Sequence, residues 1–190
     1  MNILTAAEHE TLLQIAQRAI SRRVRGESVP TLRLTTFSHR LQATGASFVT
    51  LTLAGRLRGC IGSLAGYRPL AQDVQANAIA AAFRDPRFPP LRASEFPRLT
   101  LEISVLSTPQ PLAYDGPQEL IAKLRPGIDG VVLKRGMRRA TFLPQVWEQL
   151  SEPREFLTHL CAKAGLPHDA WRQPEIEIST YQVEKFQKED

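Results

Sequence analysis

A chain of 190 residues lies within reach of one hydrophobic core, and 43% hydrophobic with 23% charged residues excludes a disordered chain. The balance of 24 basic against 19 acidic residues gives a formal +5, which attracts anions weakly and falls short of a dedicated nucleic-acid binder. No apolar run approaches the roughly 20 residues that cross a bilayer, and Met1 to Glu8 lacks the pattern of a signal peptide, so a cytoplasmic protein without membrane contact is expected.

Thr5 and Glu8 have the spacing of a capping box, and Leu12, Ile15, Ala16 and Ala19 then recur at helical spacing as far as Arg22-Arg23-Val24-Arg25. An amphipathic helix is predicted there. Gly26 to Pro30 breaks it, and Thr31 to Gly45 has no decisive period. From Phe48 to Leu53, Val49, Leu51 and Leu53 alternate with Thr50 and Thr52, the pattern of a half-buried strand. Ala54-Gly55 supplies a turn. Arg56 to Gly62 resumes the alternation with Leu57 and Ile61 on one face and Arg56, Arg58 and Cys60 on the other, which predicts a β-hairpin.

After Pro69, the spacing of Leu70, Val74, Ala78 and Ala81 predicts a helix whose alanines permit close approach to a sheet, ending near Phe83. Asp85-Pro86-Arg87-Phe88-Pro89-Pro90-Leu91 is a proline-stiffened fixed loop. Leu99, Leu101, Ile103 and Val105 alternate with Thr100, Glu102 and Ser104 as a second clear strand, and a short helix over Gln118 to Leu124 follows Gly116-Pro117. Val131 to Lys134 and Arg139 to Leu143 pair across Arg135 to Arg138. Pro144 starts a helix through Leu150, a second with Ser151 as its cap carries Phe156, Leu157, Leu160 and Cys161 to Gly165, and one strand-like run spans Glu175 to Phe186. The fold class is α+β: a largely antiparallel mixed sheet with flanking helices, in one compact domain over residues 1–190 with a larger and a smaller lobe.

The hexapeptide Leu57-Arg58-Gly59-Cys60-Ile61-Gly62 is the most informative stretch. Gly59 and Gly62 weaken a strand and are useful where backbone, ligand or another element must come close. If Leu57 and Ile61 face the core, Arg58 and Cys60 share the other face, where a guanidinium favours a thiolate nucleophile. The commoner reading of such a thiol is a small apolar filler, with the arginine as a structural ion-pair partner. Of the four histidines, His9, His39, His159 and His168, none is tied to Cys60 by a motif as its base. Glu102, opposite the aliphatic row, is either a plain strand residue or an acid/base sharing a cleft with Arg58. Asp85 and Arg87 serve a cleft or simply pair with each other.

Two cysteines, Cys60 and Cys161, make no disulfide framework, and no Cys/His spacing suggests a metal site. Neither a Walker pattern nor Gly-x-Gly-x-x-Gly occurs, so no nucleotide cofactor is expected. The basic clusters Arg22 to Arg25 and Lys134 to Arg139 read as a helix end and a solvated hairpin tip, since the aromatic interleaving of single-strand binders is missing.

Leu57 to Gly62, Asn77-Ala78, Asp85 to Leu91, Glu102 to Leu106, Gly127-Ile128-Asp129-Gly130 and Ala140 to Trp147, in that order, resemble the AMMECR-type domain, most closely its prokaryotic branch, system protein A of the AmmeMemoRadiSam trio. The resemblance implies a two-lobed α+β fold with a cleft near the hexapeptide, and association with a Memo-type protein and a radical-SAM enzyme. It implies no established reaction. The leading expectation is a component of a modification pathway, with Cys60 and Glu102 as candidate catalytic residues and Arg58, Gly59, Gly62, Asp85 and Arg87 as candidates for binding a small anionic ligand. The alternatives are a non-catalytic adaptor presenting a rigid surface to proteins and, more weakly, a nucleic-acid binder.

Overall fold

Thr5 closes the predicted capping box: its side chain accepts from the Glu8 N–H at 3.3 Å while the Glu8 carboxylate accepts the Thr5 N–H at 2.8 Å. The structure, a computed structural model, describes residues 4–188. Helix α1 (Ala6–Val24) follows the cap and buries Leu12, Ile15, Ala16, Ala19 and Ile20 on one face. The unassigned stretch after it holds a short 3-10 turn, Leu34–Thr36, and the short helix α2 (His39–Gln42).

Strand β1 (Thr44–Leu53) turns through Ala54 and Gly55, at φ 50° and 75°, into β2 (Arg56–Gly62). Then come β3 (Arg68–Pro69), α3 (Leu70–Phe83) and β4 (Leu99–Leu106). Next are β5 (Gln110–Pro111), α4 (Gly116–Lys123), and the hairpin of β6 (Gly130–Arg135) and β7 (Arg138–Phe142). Helix α5 (Pro153–Lys163), β8 (Glu177–Tyr181) and β9 (Val183–Gln187) complete the chain.

The chain forms two compact units, a larger one running to Leu106 and resuming at Glu184, and a smaller one, Ser107–Val183. The α+β class holds in both, and the antiparallel strands are divided between two sheets. In the larger unit the order is β2-β1-β4-β9, with β3 also paired to β1. Val49, Leu51 and Ile103 are fully buried in the same core as Leu12, Ile20, Val74 and Ala78. The alanines of α3 do what their spacing predicts, since Ala78, Ala81 and Ala82 are all buried in that core. In the smaller unit the order is β5-β8-β6-β7, over a core that includes Trp147, Phe156, Leu160 and Cys161. There Trp147 stacks on Phe156 at 3.7 Å and donates from Nε1 to the carbonyl of Asp129 at 2.7 Å.

Three sequence expectations are corrected. The run from Glu175 to Phe186 is two strands in two different sheets, β8 and β9, although no Gly, Pro or Asn between them marks a break. The stretch from Pro144 is a 3-10 helix, Pro144–Glu148. Ser151 is not the cap of α5, because Glu152 occupies that position and Pro153 begins the helix, where a missing N–H costs nothing.

Candidate functional site

The hexapeptide occupies β2, and its register against β1 decides where each side chain goes. Gly62, Ile61, Cys60 and Gly59 face Phe48, Val49, Thr50 and Leu51, then the register slips and Leu57 faces Thr52. Arg58 is the extra residue of a β-bulge. One inserted residue reverses the alternation, so Leu57 leaves the face of Ile61. Ile61 packs against the core, whereas Leu57 is 44% exposed. The expectation that Leu57 and Ile61 share the buried face is therefore overturned.

The same slip separates Arg58 from Cys60. The guanidinium of Arg58 holds Glu95 through Nε at 2.7 Å and Nη2 at 3.1 Å, and Nη2 also reaches the Pro89 carbonyl at 2.9 Å. Its Nη1 is buried and has no partner among the described residues. The Arg58 hydrogen bonds, followed by the Arg92 N–H, hold the Glu95 carboxyl below its ordinary range. Arg58 thus anchors the segment that follows the stiff loop.

A different arginine serves Cys60. Because β2 is the edge of its sheet, the N–H and C=O of Cys60 point away from β1 and need partners. The Asp85 carboxylate accepts that N–H at 2.9 Å, and Arg87 Nη2 donates to that carbonyl at 3.2 Å. Arg87 also donates to Asp85 from Nε at 2.9 Å and from Nη2 at 2.6 Å. The proline-stiffened loop is thus a clasp on the edge strand. Its Phe88 ring lies 5.5 Å from the Arg87 guanidinium and 5.9 Å from that of Arg58.

The Arg87 hydrogen bonds, together with the N–H groups of Cys60 and Arg87, hold the Asp85 carboxyl far below the usual carboxylate range against the opposing effect of burial. Asp85 in turn raises Arg87. An unfolded Asp takes up its proton near pH ~4. The clasp therefore stabilises the fold fully above that value, and its contribution declines as pH falls below it, because only the unfolded chain then gains the proton. Asp85→Asn is expected to destabilise most at neutral pH, and its deficit against the parent protein should shrink from pH 6 to pH 3 in urea titrations.

Cys60 and Glu102 do share a face. Thr50 is opposite Cys60 on one side and opposite Glu102 on the other, so the three form one row across β2, β1 and β4, away from buried Val49, Leu51 and Ile103. Thr50 Oγ1 donates to Cys60 Sγ at 3.3 Å. The Cys60 side chain is half-buried, outside the hydrocarbon core. Glu102 is also half-buried, and its carboxylate has no hydrogen-bond or ion-pair partner among the described residues. Cys161, by contrast, is fully buried on α5, and burial pushes its thiol up.

Gly59 and Gly62 admit close neighbours. A Cβ on Gly59 would lie 2.1 Å from the Ala81 carbonyl oxygen of α3, and one on Gly62 would lie 2.2 Å from the Phe48 ring. Sequence reasoning missed a polar network beside the motif: Asp73 and Asn77 of α3, with Ser47, Ser63 and Arg68. Its signal was two polar residues, Asp73 and Asn77, within the apolar stripe of Leu70, Val74, Ala78 and Ala81. Among the described residues no three His, Cys, Asp or Glu side chains converge to hold a metal ion. No helix among them is long and apolar enough to cross a membrane. The basic clusters are mostly engaged locally: Arg22 and Arg25 contact Glu27, Lys134 contacts Glu177, and Arg138 donates to the Gly165 carbonyl.

A family model described as AMMECR1 matches residues 13–186. The chain belongs to the AMMECR1 family. Within it, the chain is 38% identical over 195 residues to "Protein MK0488" of Methanopyrus kandleri, covering 98% of this chain and 91% of the relative. It is 38% identical over 152 residues to "Protein NEQ441" of Nanoarchaeum equitans, covering 79% of this chain and 84% of the relative. The crystal structure of an uncharacterised protein, PH0010 of Pyrococcus horikoshii, aligns with a TM-score of 0.74 at 33% identity, covering 95% of this chain and 91% of that one. The family and the fold are thus shown, and these relatives' names state no reaction.

Proposed function

We propose that this AMMECR1-family protein is a component of a cytoplasmic modification pathway, acting with a Memo-type protein and a radical-SAM enzyme, and that its working centre is the sheet face bearing Cys60. The observation that carries this reading is the Cys60-Thr50-Glu102 row, a thiol and a carboxylate on one half-open face with a hydroxyl between them. Neighbouring strands lie about 5 Å apart, so Cys60 and Glu102, two strands apart, are separated by about 10 Å at the backbone. They address opposite ends of one bound substrate. Cys60 is the nucleophile or the modified group, Thr50 Oγ1 stabilises its sulfur, and Glu102 exchanges a proton at the far end.

The anion-holding role passes from Arg58, committed to Glu95, to Arg87. The Arg87 side chain is 53% exposed and, among the described residues, donates from Nε and Nη2 alone. Native alkylation with iodoacetamide should label Cys60 and spare Cys161 until the protein unfolds. Cys60→Ser or Cys60→Ala, verified as folded, should abolish the pathway's output; retained output would end the case for thiol chemistry here.

A second reading, a non-catalytic adaptor, is favoured by the apolar side chains exposed around the motif, Leu57, Leu64 and Tyr67. It expects co-purification with the Memo-type or radical-SAM protein to persist in Cys60→Ala and to fail in Leu57→Asp.

A further inference from the structure

A cavity of about 600 Å³ lies in the larger unit, between α1 and the segment from Val29 to Phe37. That volume is within the range of small-molecule sites. None of the residues proposed above for the Cys60 centre lines it. Ile15, Phe37 and Phe96 give it an apolar, partly aromatic wall, and Arg18, Arg22 and Arg25 follow one another along the facing side of α1 and its cap. No residue lining it is acidic.

The three arginines are not equivalent. Arg22 donates to the Ser28 carbonyl at 2.8 Å and contacts Glu27 at 3.5 Å, while Arg25 holds Glu27 at 2.8 Å and the Ser21 hydroxyl at 3.0 Å. These contacts, with the favourable place of cations at a helix C-terminus, account for both. Arg18 lies a turn earlier and has no hydrogen-bond or ion-pair partner among the described residues. A planar guanidinium at the mouth of an aromatic-walled cavity matches a carboxylate attached to a ring, which it can grip through two parallel hydrogen bonds while the ring meets Phe37 and Phe96. The segment forming the far wall is tethered, since Gln75 Nε2 on α3 donates to the Pro30 carbonyl at 3.2 Å.

We propose that this cavity is a binding site for a small aromatic carboxylate, with Arg18 as the residue that receives the carboxyl group and Phe37 and Phe96 as the ring contacts. The site stands apart from the Cys60 row, so its occupancy does not depend on any reaction there.

The test is titration of the isotope-labelled full chain with 2-naphthoate and, separately, its neutral analogue 2-naphthamide, followed by amide chemical shifts. The expected result is saturable binding of 2-naphthoate, with shifts confined to α1 from Thr11 onward, to Val29 through Phe37, and to the neighbourhoods of Gln75 and Phe96, and at least fivefold weaker binding of the amide. Arg18→Gln, a change at an exposed helix position, should bring naphthoate down to the affinity of the amide and leave the amide unchanged. Phe37→Leu should weaken both ligands alike. Equal affinity of the two ligands in the parent protein, shifts elsewhere, no saturation in the millimolar range, or a preference for naphthoate that survives Arg18→Gln would each overturn the assignment.

Discussion

Replacing Gly59 by alanine is expected to destabilise the larger unit by about 3 kcal/mol or more, the upper end of what overpacking costs. The added methyl would lie 2.1 Å from the backbone oxygen of Ala81, and a helix carbonyl cannot swing aside as a side-chain tip can. Either α3 lifts from the sheet, loosening buried Ala78 and Val74, or β2 shifts and strains its pairing with β1. Two other glycines of the hairpin calibrate the claim. Gly62→Ala meets Phe48 at the root of its ring, which must swing away by a change of χ1; a half-buried side chain can do this where a helix carbonyl cannot, so its cost should be smaller, about 1 to 2 kcal/mol. Gly55→Ala has open space around it but sits at φ +75°, so only the left-handed backbone penalty of roughly 1 kcal/mol applies. Urea unfolding of the three variants should rank them in that order. A Gly59→Ala protein as stable as the parent would mean that α3 does not approach the sheet this closely.

Elements set by local period were legible from the residues alone. The capping box, the alternation of β1 and β4, and the alanine stripe of α3 each follow from contacts within a few residues. What escaped was decided by distant partners. The bulge at Arg58 adds one residue without any turn signal, and it arises where Gly59 lies against α3 and Arg58 reaches Glu95, contacts spanning 22 and 37 positions in sequence. The division of the last run into β8 and β9 is likewise made by pairing with different sheets.

The candidate site divides along the same line. Cys60 and Glu102 were each legible as lying opposite an aliphatic row, but that the two rows join on one face is set by the strand order, with β1 between them and Thr50 opposite both. The pairing of Cys60 with Arg58 required an unbroken two-residue period through the bulge, and failed there. Arg87 was visible as a loop residue, yet its grip on the Cys60 backbone is set by the edge position of β2, which only the strand order reveals.

Asp73→Ala should be the costliest side-chain truncation near the motif, about 3 to 5 kcal/mol, because it leaves the buried N–H and hydroxyl of Ser47 unsatisfied, each at a cost of about 1 to 3 kcal/mol. Oδ2 of Asp73 accepts the Ser47 N–H at 2.8 Å, the Ser47 hydroxyl at 2.7 Å and Asn77 Nδ2 at 2.9 Å. Oδ1 accepts the Ser63 hydroxyl at 2.8 Å and Arg68 Nε at 2.9 Å. Arg68 and Ser63 lie near enough to the surface to find water, and Asn77 retains the Ser47 carbonyl at 2.9 Å, so the penalty concentrates on fully buried Ser47. Asp73→Asn separates charge from acceptor geometry. Its carbonyl oxygen can take the place of Oδ2 and keep the Ser47 bonds, while its NH2 faces the Ser63 hydroxyl, which can reverse to accept, and displaces Arg68. A loss of about 1 to 3 kcal/mol is expected for Asn, and about 1 kcal/mol for Arg68→Gln, whose partner retains its other donors. Because Ser63 directly follows the hexapeptide, the Ala variant should also expose the end of β2, seen as faster amide exchange at Ile61 and Ser63 than in Arg68→Gln. Equal losses for Asp73→Ala and Arg68→Gln would show that the network serves the surface ion pair and not the buried end of the strand.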